Sequence, residues 1–224
     1  MLVLAKGPSI GSGSSALPGR MSDPTLELHS TNGALLMRND DWKDSSERAE
    51  IEASGLAPAD DRESAILLTL VPGTYTGVVA GKDNSIGIAL VEVYDLAANS
   101  SVVANISSRG FVDSGDNVMI GGFIAGNQSG DTRVLIRGIG PSLPVSNALA
   151  DPVLELHDSN GAVLETNDNW RDSPERAEIE ATGIPPNNDL EPAILKTVNA
   201  AGYTAILRGV TGSGIAVVEI YNLN

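Results

Sequence analysis

The sequence predicts an all-β protein built as two tandem jelly-roll-like β-sandwich modules, each with one short helix. Three observations lead there. The first is an internal repeat: Asp23-Pro24-Thr25-Leu26-Glu27-Leu28-His29 returns 128 residues later as Asp151-Pro152-Val153-Leu154-Glu155-Leu156-His157. A period of 20–50 residues would mean solenoid turns, whereas roughly 100 residues can bury a core alone, so the copies read as domains. The second is composition: 24 glycines and 12 prolines with few helical periodicities favour short strands joined by turns. The third is a single interruption of the strand pattern, at the same place in each copy.

Taken in chain order, Leu2-Val3-Leu4-Ala5-Lys6 is an apolar strand that leaves through Gly7-Pro8-Ser9, and its counterpart is Arg133 to Leu143 with Gly140-Pro141-Ser142. Thr25 to His29 alternates, Asn32-Gly33 signals a hairpin and Ala34 to Met37 returns; Asn160-Gly161 occupies the same position in copy two. Asp44-Ser45-Ser46-Glu47 and Asp172-Ser173-Pro174-Glu175 have the form of a capping box, with Gly55 and Gly183 as stops, which predicts the short helix; the competing reading is an edge strand, since Ala49-Glu50-Ile51-Glu52-Ala53 also alternates. Tyr75 to Ala80 and Ile88 to Tyr94 form a further strand pair, matched by Tyr203 to Arg208 and Ile215 to Tyr221. Between the copies lie two more strand-like runs, Val102 to Val112 and Asn117 to Gly126, separated by Asp113-Ser114-Gly115-Asp116. Copy one has no such pair before it, so the expected modules are 1–98, lacking its first strand pair, and 99–224, complete.

Leu26-Glu27-Leu28-His29, Asn32-Gly33, Asn39-Asp40, Pro72-Gly73-Thr74-Tyr75-Thr76 and Leu90 to Tyr94 resemble the bacterial pre-peptidase C-terminal type of β-sandwich. Copy two resembles it through Leu154 to His157, Asn160-Gly161, Asn167-Asp168, Gly202-Tyr203-Thr204 and Val218 to Tyr221. The resemblance covers about 70 residues of each module and implies a secreted, non-catalytic module, sometimes calcium-bound, as found in tandem in repetitive bacterial extracellular proteins. It therefore implies an extracellular or cell-surface location. The loop containing Trp42 and Trp170 lies outside that family's ordinary pattern.

Charge and motif content narrow the function. A net charge of −15 repels nucleic acid and anionic membrane surfaces. No run approaches the roughly 18 apolar residues of a membrane span, and zero cysteines exclude disulfides and thiolate chemistry. Gly138-Ile139-Gly140-Pro141-Ser142 lacks the last glycine of a dinucleotide fingerprint, and neither a nucleophile elbow nor a zinc-protease helix is present. The expectation is a protein that is not an enzyme.

Hard oxygen donors do gather in sequence. Asn39, Asp40, Asp41 and Asp44, with Asn167, Asp168, Asn169 and Asp172, are the ligand types Ca²⁺ takes, and Ca²⁺ is the one cofactor they suggest. The competing reading makes Asp44 and Asp172 helix caps and Asn39 and Asn167 turn residues. A second acidic group, Asp60, Asp61 and Glu63 against Asp189 and Glu191, could approach the first across a sandwich end. Trp42 and Trp170, the only tryptophans, would suit stacking on a sugar if exposed, and would be hydrophobic plugs if folded over their modules. His29 and His157 read as strand-face residues.

The asymmetry between the copies admits two explanations: a chain cut from a longer array, or a first module completed by strands from a neighbouring molecule. The second predicts head-to-tail association into a filament or tube, since a heterologous contact that does not close propagates. The expected partners are copies of the chain or adjacent modules of an array. The interface is expected at Leu2, Val3 and Leu4 and the open edge of module one, with Ile215, Val217, Ile220 and Leu223 or the strands 102–125 as donors. The alternative function is a tandem carbohydrate-binding module of a secreted enzyme, with a glycan at Trp42 and Trp170.

Overall fold

The computed structural model describes residues 1–11, 15–97, 103–113, 115–126 and 131–224. The chain is all-β and divides into two compact units, Met1–Val102 and Val103–Asn224, each a β-sandwich with one short helix. The expected boundary at 98/99, the expected strand start at Val102 and the turn residue Ser114 lie outside the described residues.

The first module contains β1 (Leu2–Lys6), β2 (Pro24–Ser30), β3 (Leu35–Asn39), α1 (Arg48–Ala53), β4 (Ser64–Leu67), β5 (Tyr75–Gly81) and β6 (Leu90–Tyr94). Its two three-stranded antiparallel sheets have the orders β4-β1-β6 and β3-β2-β5. β1 is a continuous apolar run because it is central and covered on both faces. Val3 and Ala5 pack with Leu26, Leu28 and Ile66 inside the sandwich, while Leu2 and Leu4 pack with Trp42, Ile51 and Ala65 beneath the helix. β2, covered on one face, shows strict alternation: Leu26 and Leu28 are buried, whereas Glu27 and His29 face outward and meet each other at 3.0 Å.

The second module repeats this plan and extends it: β7 (Asn105–Val112), β8 (Met119–Ala125), β9 (Thr132–Ile139), β10 (Pro152–His157), β11 (Val163–Asn167), α2 (Arg176–Ala181), β12 (Ala193–Val198), β13 (Ala201–Gly209) and β14 (Gly214–Asn222). The sheets are β12-β9-β14-β7 and β11-β10-β13-β8. The β7–β8 hairpin, a turn-linked strand pair whose strands bond to β14 and β13 and not to each other, thus adds one edge strand to each sheet. It also adds core: Val112 and Ala125 are buried, Ile106, Met119 and Phe123 pack against the same cluster, and the Phe123 ring stacks on Tyr203 at 5.4 Å between centroids.

Local chemistry explains the turns. Gly33 and Gly161, both at φ +80°, close four-residue turns in which the glycine N–H donates to Ser30 and Asp158, the left-handed geometry that a glycine adopts at least cost. Gly7 and Gly140 are required for a different reason: a Cβ there would lie 2.2 Å from the Met21 carbonyl oxygen and 2.3 Å from that of Leu149.

The helices form where expected, but the capping box does not. Each helix starts later than the box implies, after Glu47 and Glu175, with no side-chain cap on its first N–H groups. Ser45 and Ser173 instead accept from the backbone N–H of Glu47 and Glu175 at 3.2 and 3.1 Å. The intervening Trp-Lys/Arg-Asp residues are taken up by a single 3₁₀ turn, Trp42–Asp44 and Trp170–Asp172, so Asp44 and Asp172 lie in that turn rather than at a helix cap.

Among the described residues, the outer edges of β5 and β6 in the first module have no paired strand, whereas their counterparts β13 and β14 are paired with β8 and β7. In dilute solution the β5 and β6 amides should therefore exchange with deuterium well before those of β13 and β14, and the first module should unfold at the lower denaturant concentration. Pulse-labelling mass spectrometry checks both; equal protection of the two strand pairs would contradict the difference.

Candidate functional site

At one end of each sandwich the loop after β3 (or β11) meets the turn after β1 (or β9). Asn39 ties the loop after β3 to β4 through its amide: Oδ1 accepts from the Ala65 N–H at 2.8 Å and Nδ2 donates to the Asp41 carbonyl at 3.0 Å. Asn167 repeats this with Ala193 and Asn169 at 2.9 and 3.1 Å. Both amide ends are bonded to backbone, as the turn-residue reading of Asn39 and Asn167 expects.

The tryptophans are plugs. Trp42 is 5% exposed and Trp170 2% exposed, and each indole N–H donates at 3.2 Å, to the Asp60 and Asn188 carbonyls respectively. Lys43 and Arg171 lie over the rings at 5.6 and 4.6 Å from their centroids, covering what remains. A ring buried on these terms presents no face to a sugar, and the expected glycan site at Trp42 and Trp170 is overturned.

A residue read from sequence only as part of an acidic group proves central to this end of the fold. Glu63 is fully buried, and its Oε1 accepts from the Gly7 and Ser9 N–H groups at 3.0 and 2.9 Å and from the Ser9 hydroxyl at 2.7 Å. Its own carbonyl accepts from the Trp42 N–H at 2.8 Å. Glu191, likewise fully buried, holds Gly140, Ser142 and the Ser142 hydroxyl at 3.1, 2.9 and 2.6 Å, with Asn188 N–H on its other oxygen at 3.1 Å. These carboxylates are filled by the turn, so they do not reach across to the aspartates.

The acidic side chains that do converge are Asp23, Asp40 and Asp41, with ligand atoms within 4.8 Å of one another; among the described residues this is the group of three or more acids close enough to share a cation. Asp23 was not visible as a member from sequence, and Asp44 is not one. Lys82 supplies a cation of its own, its ammonium 2.7 Å from Asp40 and 3.7 Å from Asp23. Burial, then the neighbouring Asp40 charge, push the Asp41 carboxyl above its ordinary value. In the second module, Asp151, Asp168 and Asn169 take these places, and Val210 replaces Lys82, as the matching Lys82 N–H to Asp23 and Val210 N–H to Asp151 bonds establish. Burial and the Asp151 charge raise Asp168 in turn.

The expected interface residues are also relocated. Leu2, Val3 and Leu4 lie in the central strand β1 and are buried, as are Val217 and Ile220 in the equally internal β14; Ile215 and Leu223 are half-buried in or beside the same strand. None forms an open edge. That edge lies at β5 and β6, where the repeat makes the difference measurable. Leu90 and Val91 are 43% and 41% exposed, while their counterparts Val217 and Val218, covered by β7, are 9% and 1% exposed.

No family model matches the chain, and no curated protein does. Among solved structures it is similar to the infectious bursal disease virus VP2 subviral particle, at 10% identity and a TM-score of 0.21, over 99% of this chain and 56% of that one. It is similar also to the structure of the infectious bursal disease virus Gx strain, at 9% identity and a TM-score of 0.22, over 100% and 56%. The chain thus spans just over half the length of those viral chains.

Two outcomes are expected here. Glu191→Ala leaves buried donors without an acceptor and should destabilise the second module by about 3 kcal/mol or more, with Glu191→Gln, which keeps one acceptor oxygen, costing less. Denaturant midpoints of the second module measure both. Asp41→Asn should raise the thermal midpoint of the first module by roughly 2–4 °C at neutral pH. A carboxyl raised in the fold costs stability above its folded pKa, so this gain should fade as pH falls through the carboxylate range; a pH series of melting curves checks the sign.

Proposed function

We propose that the chain is a non-catalytic structural component of an extracellular or cell-surface assembly, whose copies join head to tail by β-strand addition. The observation that carries this reading is the pair of unpaired edges on the first module. Two adjacent strands, one in each sheet, offer open backbone donors and acceptors, and the apolar side chains of the same strands are exposed where the repeat buries them. Such an edge is a template for another strand. The loop ends support the reading in a different way, because Trp42, Trp170, Glu63 and Glu191, the residues best suited to a ligand by type, are spent on internal contacts.

The test is sedimentation velocity with negative-stain microscopy over a concentration series. Wild-type chain should form concentration-dependent linear species. Val91→Lys, which places a charge on the open β6 edge at a 41%-exposed position, should remain a monomer with its melting temperature little changed. A wild-type chain that stays monomeric at high concentration with its β5 and β6 amides protected would sink the proposal.

A further inference from the structure

We infer that the joint is formed by the outer edges of the β7–β8 hairpin of one copy seated against β6 and β5 of the next, with the hairpin remaining in its own sandwich. This rests on the self-assembly reading and specifies which surfaces meet. A second copy could cover the open edges in another way, by lending its hairpin outright. The described residues, however, form two sandwich bodies and one such hairpin, so lending it opens one β13/β14 edge for every β5/β6 edge it closes. Docking the intact hairpin covers an edge and uncovers none.

The surfaces match in three respects. β7 and β8 are terminal strands of their two sheets, as β6 and β5 are of theirs, so each partner presents one free edge per sheet. Because both sandwiches are built on the same repeat, the two edges are separated by the same sheet-to-sheet distance, and β6 can meet β7 while β5 meets β8. The exposed apolar side chains also correspond. Phe111 on β7 is 59% exposed and would meet Leu90 on β6, while Ile120 and Ile124 on β8 are 58% and 86% exposed and would meet Val78 on β5, itself 44% exposed. The two surfaces are different parts of the chain, so the contact is heterologous and leaves a free edge at each end of any oligomer.

The chain has no cysteine, so an introduced thiol is unique. Leu90→Cys and Phe111→Cys variants are mixed at an assembling concentration and treated with a short bis-maleimide, and a second mixture pairs Val78→Cys with Ile124→Cys. The expected products are mixed Leu90→Cys/Phe111→Cys and Val78→Cys/Ile124→Cys dimers, in excess over either variant linked to itself. A separate Gly122→Cys/Thr204→Cys disulfide, across a facing pair of β8 and β13, fixes the hairpin in place and should leave assembly intact. Predominant Leu90→Cys self-linked dimers would mean that like edges meet, and loss of assembly in the fixed-hairpin variant would mean exchange; either overturns the inference. Assembly with neither mixed product overturns it while leaving the self-assembly reading standing, whereas absence of assembly overturns both.

Discussion

The buried carboxylate of Glu63, and of Glu191 in the repeat, is the interaction on which each module's end depends. A fully buried acid is costly unless every lone pair is met, and here backbone N–H groups and a serine hydroxyl converge on it. The turn it fills, Gly7-Pro8-Ser9, is the exit of the central strand β1, and Gly7 is small enough to let that turn press on the Met21 carbonyl. The same residue's backbone carbonyl takes the Trp42 N–H, which sets the tryptophan over Leu2 and Leu4. One side chain thus fixes the strand exit, the loop after β3 and the cover of the outer sheet face. Glu191, Trp170 and Leu135 repeat the arrangement, which makes it a property of the module rather than an accident of one loop.

A second constraint acts at the opposite flank. A sandwich needs its two sheet edges covered or made unattractive to other strands. In the second module the β7–β8 hairpin covers them and contributes Val112 and Ala125 to the core. The first module keeps Tyr75, Val79, Val91 and Val93 at the positions where the second has Tyr203, Leu207, Val218 and Ile220, so its edge retains the apolar chemistry of a covered one. An edge adapted to exposure would instead carry lysines, prolines or inward charges. The difference between the modules is therefore one of occupancy, and it separates the flank, whose apolar edge is open, from the loop end, where the tryptophans and glutamates are spent on internal contacts.

Much of this was legible in the sequence because the repeat supplies its own alignment: two modules, the Asn-Gly hairpins, the short helices and the extra strand pair all follow from residues close together in the chain. What was not legible depends on long-range contact. Glu63 reaches Ser9 across 54 residues, and Asp23 joins Asp40 and Asp41 only because β2 starts beside the end of β3. The interface was misplaced for a physical reason. Copy one lacks the strand pair that precedes its counterpart in copy two, which points to Leu2 to Leu4 as the joint, yet an uninterrupted apolar run such as Leu2 to Ala5 is the signature of a strand buried on both faces. The capping box failed because Asp44 ends the 3₁₀ turn Trp42–Asp44, and it is Ser45 that accepts from the Glu47 N–H.

The acidic clusters clarify what the loop end is for. The first module gathers three carboxylates and one ammonium, Lys82; the second has two carboxylates, an amide at Asn169 and an apolar residue at Val210. Both sets carry the same net charge by different means, one neutralising an acid with a neighbouring base and the other omitting both. If three carboxylates were needed to hold a ligand, the second module would have lost one of them. If the requirement is only that the β3 and β11 ends remain close to the starts of β2 and β10, either solution serves. The geometry common to both modules is the amide of Asn39 or Asn167 bracing backbone, the buried tryptophan and the buried glutamate, and all three act inward. Beyond the Asp41/Asn169 and Lys82/Val210 exchange, the outward-facing chemistry that differs between the copies lies along β5 and β6.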